Sequence, residues 1–162
     1  SRRDLRRGRR ALSRHRRAWP AAYPRRRALV DFGSDAMFGA PTWAFADAFS
    51  AHAPTHMYRF DHTTWTLKVL GLGATHGSEI VHIQHSYGSY LGRKLHPLGR
   101  RVQPSVGRRM QRTWLDFARD ENFHDWPCYE AEERLTRVIR STRDETVADP
   151  DAVRRAAWEG LF

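Results

Sequence analysis

The sequence predicts a mixed α/β chain, on three observations. The run "THMYRF", Thr55 to Phe60, sets His56, Tyr58 and Phe60 against Thr55, Met57 and Arg59, the two-residue period of a β-strand. Near the C-terminus "RLTRVIR", Arg134 to Arg140, reads as a second, short strand, expected to be exposed. Between them Val102, Val106, Met110 and Trp114 stand four apart with Phe117 three further on, while Arg108, Arg109, Arg112 and Arg119 fall largely outside that stripe. That is the pattern of an amphipathic helix laid on a core.

The remaining elements follow in chain order. Residues 1–27 hold 12 Arg against 1 Asp, so the formal net charge of +10 belongs to this stretch, and the other 135 residues are close to neutral. Residues 1–22 are expected to form a disordered basic arm. From Ala28 the texture changes. Ser34 is placed to cap a helix with Asp35 in its first turn, and Phe38, Phe45 and Phe49 share one helical face, with Pro41 starting or kinking it. After the strand at Thr55–Phe60 comes a glycine-rich loop, then "GLGATHGSEIVHIQHS", then coil or a short helix between Gly88 and Pro104. At the end "DPDAVRRAAW" reads as a helix capped by Asp149 with Pro150 in its first turn. There is no internal repeat.

Composition narrows the class. A chain of 162 residues with 40% hydrophobic content supports one modest domain with a core. The single cysteine, Cys128, excludes an internal disulfide and any zinc site built on several thiolates. It is expected to be a small buried or half-buried side chain. Nothing then demands an oxidising compartment, which favours the cytoplasm over secretion. "SRRDL" resembles a twin-arginine export signal only in its arginines, since no apolar run follows, and no stretch is long enough to span a membrane. The arginine block could neutralise phosphates or anionic lipid without sequence specificity. It lacks interleaved aromatics for base stacking, Trp19 and Tyr23 apart, so no specific nucleic-acid site is expected.

Two chemistries compete for the histidine-rich segment. His76, Glu79, His82 and His85 stand three apart, whereas helical zinc sites place two histidines four apart with a glutamate beside the first. His82 and His85 are therefore not expected to bind metal, and no cofactor is expected. The alternative is general-base chemistry by His76, which follows a strand and a glycine-rich turn, where an imidazole can project into a cleft.

A resemblance adds to this. "SDAMFGAPTWAFADAFSAHAPTHMYRFD", "GATHGSE", "RRMQRTWLDFARD", "WPCYE" and "VADP" followed by "AAW" resemble, in order and spacing, the C-terminal portion of the type-B carboxylesterase family, which includes cholinesterases and para-nitrobenzyl esterases. The likeness runs from about Tyr23 to Phe162. It implies an α/β-hydrolase fold for residues 23–162, an incomplete sheet with flanking helices. It also places His76 on the family's catalytic histidine and Glu79 on the acidic position of its "HG-x-E/D" motif. After "HGSE" the family continues apolar and aromatic, whereas this chain has the more basic "IVHIQHSYGSYLGRKLHPLGRR".

The family's triad runs Ser, Asp/Glu, His, with the serine in a G-x-S-x-G elbow. The 162 residues contain no such elbow. The resemblance therefore implies a C-terminal fragment of a serine carboxylesterase that carries the triad histidine but not the nucleophile, acts on an ester in the complete enzyme, and needs a complementing N-terminal part. With only two strands legible, the two aromatic and aliphatic stripes should lack part of their packing surface, so the chain should be marginally folded and self-associate. The reading from a different class is a non-catalytic binding module whose basic arm contacts nucleic acid or an acidic surface.

Overall fold

The structure, a computed structural model, describes residues 19–20, 22–23, 28–71, 73–74, 77–95, 104–119 and 126–161. The charged residues 1–18 and Val102 lie outside this set. The chain divides into two units. One comprises Ser1–Thr55, Tyr129–Arg134 and Asp149–Phe162, and the other His56–Cys128 and Leu135–Ala148.

The first unit is helical. Helix α1, Ala28–Ser34, runs through a wide π-turn at Asp35–Gly39 into α2, Ala40–Ser50, and Pro41 sits in the first turn of α2, where its missing N–H costs nothing. Ser34 is helical and makes no capping bond, contrary to the sequence expectation, because the helix has already begun at Ala28. The wide turn is closely packed: a Cβ on Gly39 would stand 2.7 Å from Asp35 Oδ1 and 3.1 Å from a Trp43 ring carbon.

The buried side of this unit joins Ala22, Tyr23, Ala40, Ala157 and Trp158, with Trp19, Phe32 and Trp43 packed against them. Phe38, Phe45 and Phe49 point elsewhere. They are 39%, 66% and 43% exposed, and Phe45 and Phe49 stack on each other at 5.3 Å. The last helix, Ala152–Ala156, starts from Asp151, not Asp149. Asp149 takes a positive φ of 39°, its N–H donates to the Arg134 carbonyl, and its carboxylate holds Arg155. That carboxylate bond is the main cause of the raised Arg155 pKa.

The second unit is built on a sheet of order β1-β2-β3: β1 is Met57–Phe60, β2 Leu135–Ile139 and β3 Asp144–Ala148. Strands β1 and β2 are parallel, with Met57 opposite Thr136 and Phe60 opposite Ile139. A parallel pair needs a crossover. Here helices α3 (Trp65–Val69), α4 (Ile80–Ile83), α5 (Tyr90–Leu95) and α6 (Pro104–Ala118) lie between the two strands in the chain. Strands β2 and β3 are antiparallel neighbours.

Two expectations are corrected. Strand β2 is the centre of the sheet, not an exposed strand: Val138 and Ile139 are 0% and 1% exposed. Its arginine is tolerated because Arg137 pairs with Asp144 at 2.8 Å. Strand β3, "DETVA", was not legible, because its residues are largely poor strand formers and it is specified by pairing with β2. Helix α6 does lay its stripe on the sheet: Val106, Met110 and Ile139 form the core, with Tyr58, Phe60, Ile83 and Trp114 packed on it. The end of that stripe leaves the core, with Phe117 51% exposed.

Candidate functional site at the end of the first strand

The segment after β1 reaches its turns through identifiable local causes. The Asp61 N–H donates to the Ile139 carbonyl at 2.9 Å, extending the parallel pairing by one residue. Thr64 is extended and its hydroxyl accepts from the Leu67 N–H at 3.3 Å, capping α3. Gly71 and Gly73 then take φ of 69° and 67°, which side-chain-bearing residues seldom adopt.

His76, the sequence-predicted catalytic residue, lies outside the described residues. Its neighbour Gly77 has φ of 80°, and a Cβ there would find ordinary contact with Ile80 at 3.8 Å. The glycine is thus required by conformation and not by space. Ser78 is buried, and Glu79 sits at the start of α4. The Glu79 charge, after burial, adds to the upward shift of the Tyr58 phenol.

Sequence reasoning missed a pair of buried histidines in this unit. His62 and His82 are 2% and 1% exposed, and their rings meet nearly perpendicular at 4.9 Å. His62 Nδ1 is 2.8 Å from Ser141 Oγ, and His82 Nδ1 is 2.9 Å from the Tyr87 hydroxyl. Burial pushes Tyr87 up to about 12, with Arg108 opposing. His82 was singled out by spacing, but His62, close behind the strand in "RFDH", was not. Position after a strand was the signal that could have found it.

His85 is exposed with φ of 53°, its ring 5.1 Å from that of Tyr87. Among the described residues, no group of three or more His, Cys, Asp or Glu could hold a metal ion. Cys128 is exposed, not buried or half-buried as expected, because it ends the segment "WPC" at the surface, with Sγ 3.9 Å from His56 Nε2. No described helix is long and apolar enough to cross a membrane.

Comparison with known proteins gives this geometry a context. The model of the carboxylesterase family matches residues 17–155. Among solved structures, a PNB esterase is 27% identical with a TM-score of 0.72, over 83% of this chain and 28% of that one. The carboxylesterase EST55 of Geobacillus stearothermophilus is 24% identical with a TM-score of 0.70, over 91% of this chain and 32% of that one. A thermophilic PNB esterase is 23% identical with a TM-score of 0.65, over 87% and 29%. No curated protein matches the chain. The chain spans about three tenths of the length of these solved esterases. The small mixed sheet with flanking helices is part of an α/β-hydrolase fold. With a match that covers most of its length, the chain belongs to the carboxylesterase family.

Proposed function

We propose that these residues supply the proton-carrying histidine of a carboxylic-ester hydrolase, and that the nucleophilic serine and the triad acid come from sequence outside the 162 residues. The observation that carries this reading is the family match across residues 17–155, which includes "GATHGSE". The placement of that motif supports it. In the chain, Ala74 at a bend and Gly77 in a turn follow β1 by way of α3, and β1 pairs in parallel with β2. In open α/β sheets chemistry collects at the carboxyl ends of the strands.

In this mechanism His76 takes the proton from the serine hydroxyl as the oxygen attacks the ester carbonyl, then gives it to the leaving alcohol. An acyl-enzyme remains. His76 next takes a proton from water as the water oxygen attacks, and returns it to the serine oxygen as the acid departs. Gly77, the next residue in the chain, takes a φ of 80°.

Loss of a triad nucleophile lowers turnover by about 10⁴–10⁶-fold, so the 162 residues alone should turn over an ester only at a residual rate. A fluorophosphonate probe tests the division of labour. The 162-residue chain should remain unlabelled, and the same chain joined to the coding sequence that precedes it should take up one equivalent on a serine. Stoichiometric labelling of the 162 residues by themselves would overturn the proposal.

A further inference from the structure

We propose that the outward face of α2, centred on Phe45 and Phe49, is a docking surface for a second copy of this chain, and that two copies meet there in a weak, reversible dimer about a two-fold axis. The proposal rests on the packing of the helical unit and not on the esterase reading. An amphipathic helix ordinarily turns its large apolar side chains to the core. Along this face α2 does the reverse. The residues it buries are Ala40 and Ala46, whereas Phe45 and Phe49 are 66% and 43% exposed. The two rings stack with centroids 5.3 Å apart and planes at 12°, so they form one flat apolar ridge. Met37, in the wide turn that leads into α2, is 70% exposed as well. Exposed hydrophobic residues scattered singly are common, but adjoining ones mark an interaction surface.

Charge and shape select the occupant. From Ala28 to Ser50 the chain holds Asp31, Asp35 and Asp47 but no Lys or Arg. Each carboxylate is engaged inside its own unit. Asp35 is buried and accepts from the Tyr23 hydroxyl at 2.7 Å, Asp47 accepts from the Tyr129 hydroxyl at 2.6 Å and pairs with Arg134 at 3.0 Å, and the Asp31 charge bears on Arg154. The ridge therefore gives a charged partner nothing to pair with, and two copies that approach each other there meet no like-charge repulsion. Thr42 and Ala48, three residues to either side of Phe45 and hence its neighbours on the helix surface, are exposed and small. One face thus carries a ridge with shallow recesses beside it. An isologous contact needs both halves of the fit on the same patch.

The area sets the strength. Taking about 200 Å² for a phenylalanine, the exposed fractions leave about 200 Å² of ring on each copy and about 400 Å² across the pair. With Met37 and a rim added, the contact stays below the standard interface of about 1,600 Å² and belongs with the weak, transient ones. The dimer should accordingly appear only at raised concentration.

The experiment is sedimentation equilibrium over a series from about 1 μM to about 1 mM, the span of weak association. Wild type, both as the 162 residues and joined to the coding sequence that precedes them, should pass from monomer to dimer. Phe45→Gln combined with Phe49→Gln, which keeps good helix formers on an exposed face, should move the midpoint upward by about tenfold or more. Leu115→Gln, at an exposed apolar residue of α6, should leave it in place. Should the double variant fail to fold, wild type decides by itself. In a mixture of isotope-labelled and unlabelled chains, filtered NMR spectra should show Phe45 and Phe49 ring protons of one copy against those of the other, and a dimer without such contacts would rule the face out. Chains monomeric throughout the series, or a dimer that the double variant leaves unchanged, would overturn the proposal. So would a longer protein that stays monomeric, which would assign the face to the preceding polypeptide.

Discussion

Gly107→Ala should destabilise the sheet unit although it places a better helix former inside a helix. In an open helix the exchange gains up to about 1 kcal/mol, since alanine loses less backbone freedom. Gly107, however, lies in α6 at its approach to α4, and the new methyl would stand 2.7 Å from the Tyr87 hydroxyl, 2.9 Å from the His82 carbonyl oxygen and 3.1 Å from His85 Cδ2. The hydroxyl could swing only by leaving His82, and the carbonyl belongs to the backbone of α4. Forcing an added methyl into such packing costs about 2 kcal/mol. Loss of the buried hydrogen bond adds about 1 kcal/mol. Set against the helical gain, the net loss is about 2 kcal/mol, which would lower a urea midpoint by about 1 M. Gly33→Ala in α1 is the control, because nothing lies within 4 Å of its added methyl. It should show only the gain. Amide exchange on α4 and α6 for the first variant, and on α1 for the second, reads each unit separately. A Gly107→Ala chain as stable as the Gly33→Ala chain would refute the packing argument.

Other outcomes follow from the buried charges and the thiol. Burial raises the Asp35 carboxyl, opposed by the Tyr23 hydroxyl and by Arg154. Its contribution is therefore fully present below the unfolded value near pH 4 and is lost as pH rises through the folded value, so the stability of wild type relative to Asp35→Asn should decline across that window in pH-dependent urea melts. A difference independent of pH would contradict the burial effect. Asp144→Ala should cost about 3 kcal/mol, because it strands the buried Arg137 guanidinium, whereas Arg109 keeps its bond to the Arg140 carbonyl, and loss of amide protection in β2 and β3 measures it. A change under 1 kcal/mol would show that water already solvates that guanidinium, as at surface pairs of about that worth. Cys128, exposed, should react with one equivalent of a disulfide reagent in the native chain, and a thiol that reacts only after denaturation would contradict that exposure.

The elements legible in the sequence were those whose period matched their packing. The Met57–Phe60 strand and the Val106/Met110/Trp114 stripe were found because their alternation and four-residue spacing record the face each buries. Strand β2 was read as exposed because Arg137 interrupts its apolar pattern, and only the fold reveals that Asp144 neutralises it. Strand β3 and the π-turn at Asp35–Gly39 left no local signal, since the first is set by its neighbour and the second by close packing around Gly39. At the site, "GATHGSE" carried the family likeness, whereas the His62–His82 contact joins residues twenty apart that no motif links.

The most direct test of the proposed chemistry is the rate of ester hydrolysis by the complete protein with and without His76. Coding sequence preceding Ser1 is joined to the 162 residues, and p-nitrophenyl acetate turnover is followed against pH. If His76 carries the proton, His76→Gln should lower kcat by about 10³-fold or more, abolish the rise of rate through the histidine range, and leave KM little changed. A His76→Gln enzyme that retains the wild-type rate and pH profile would contradict the account.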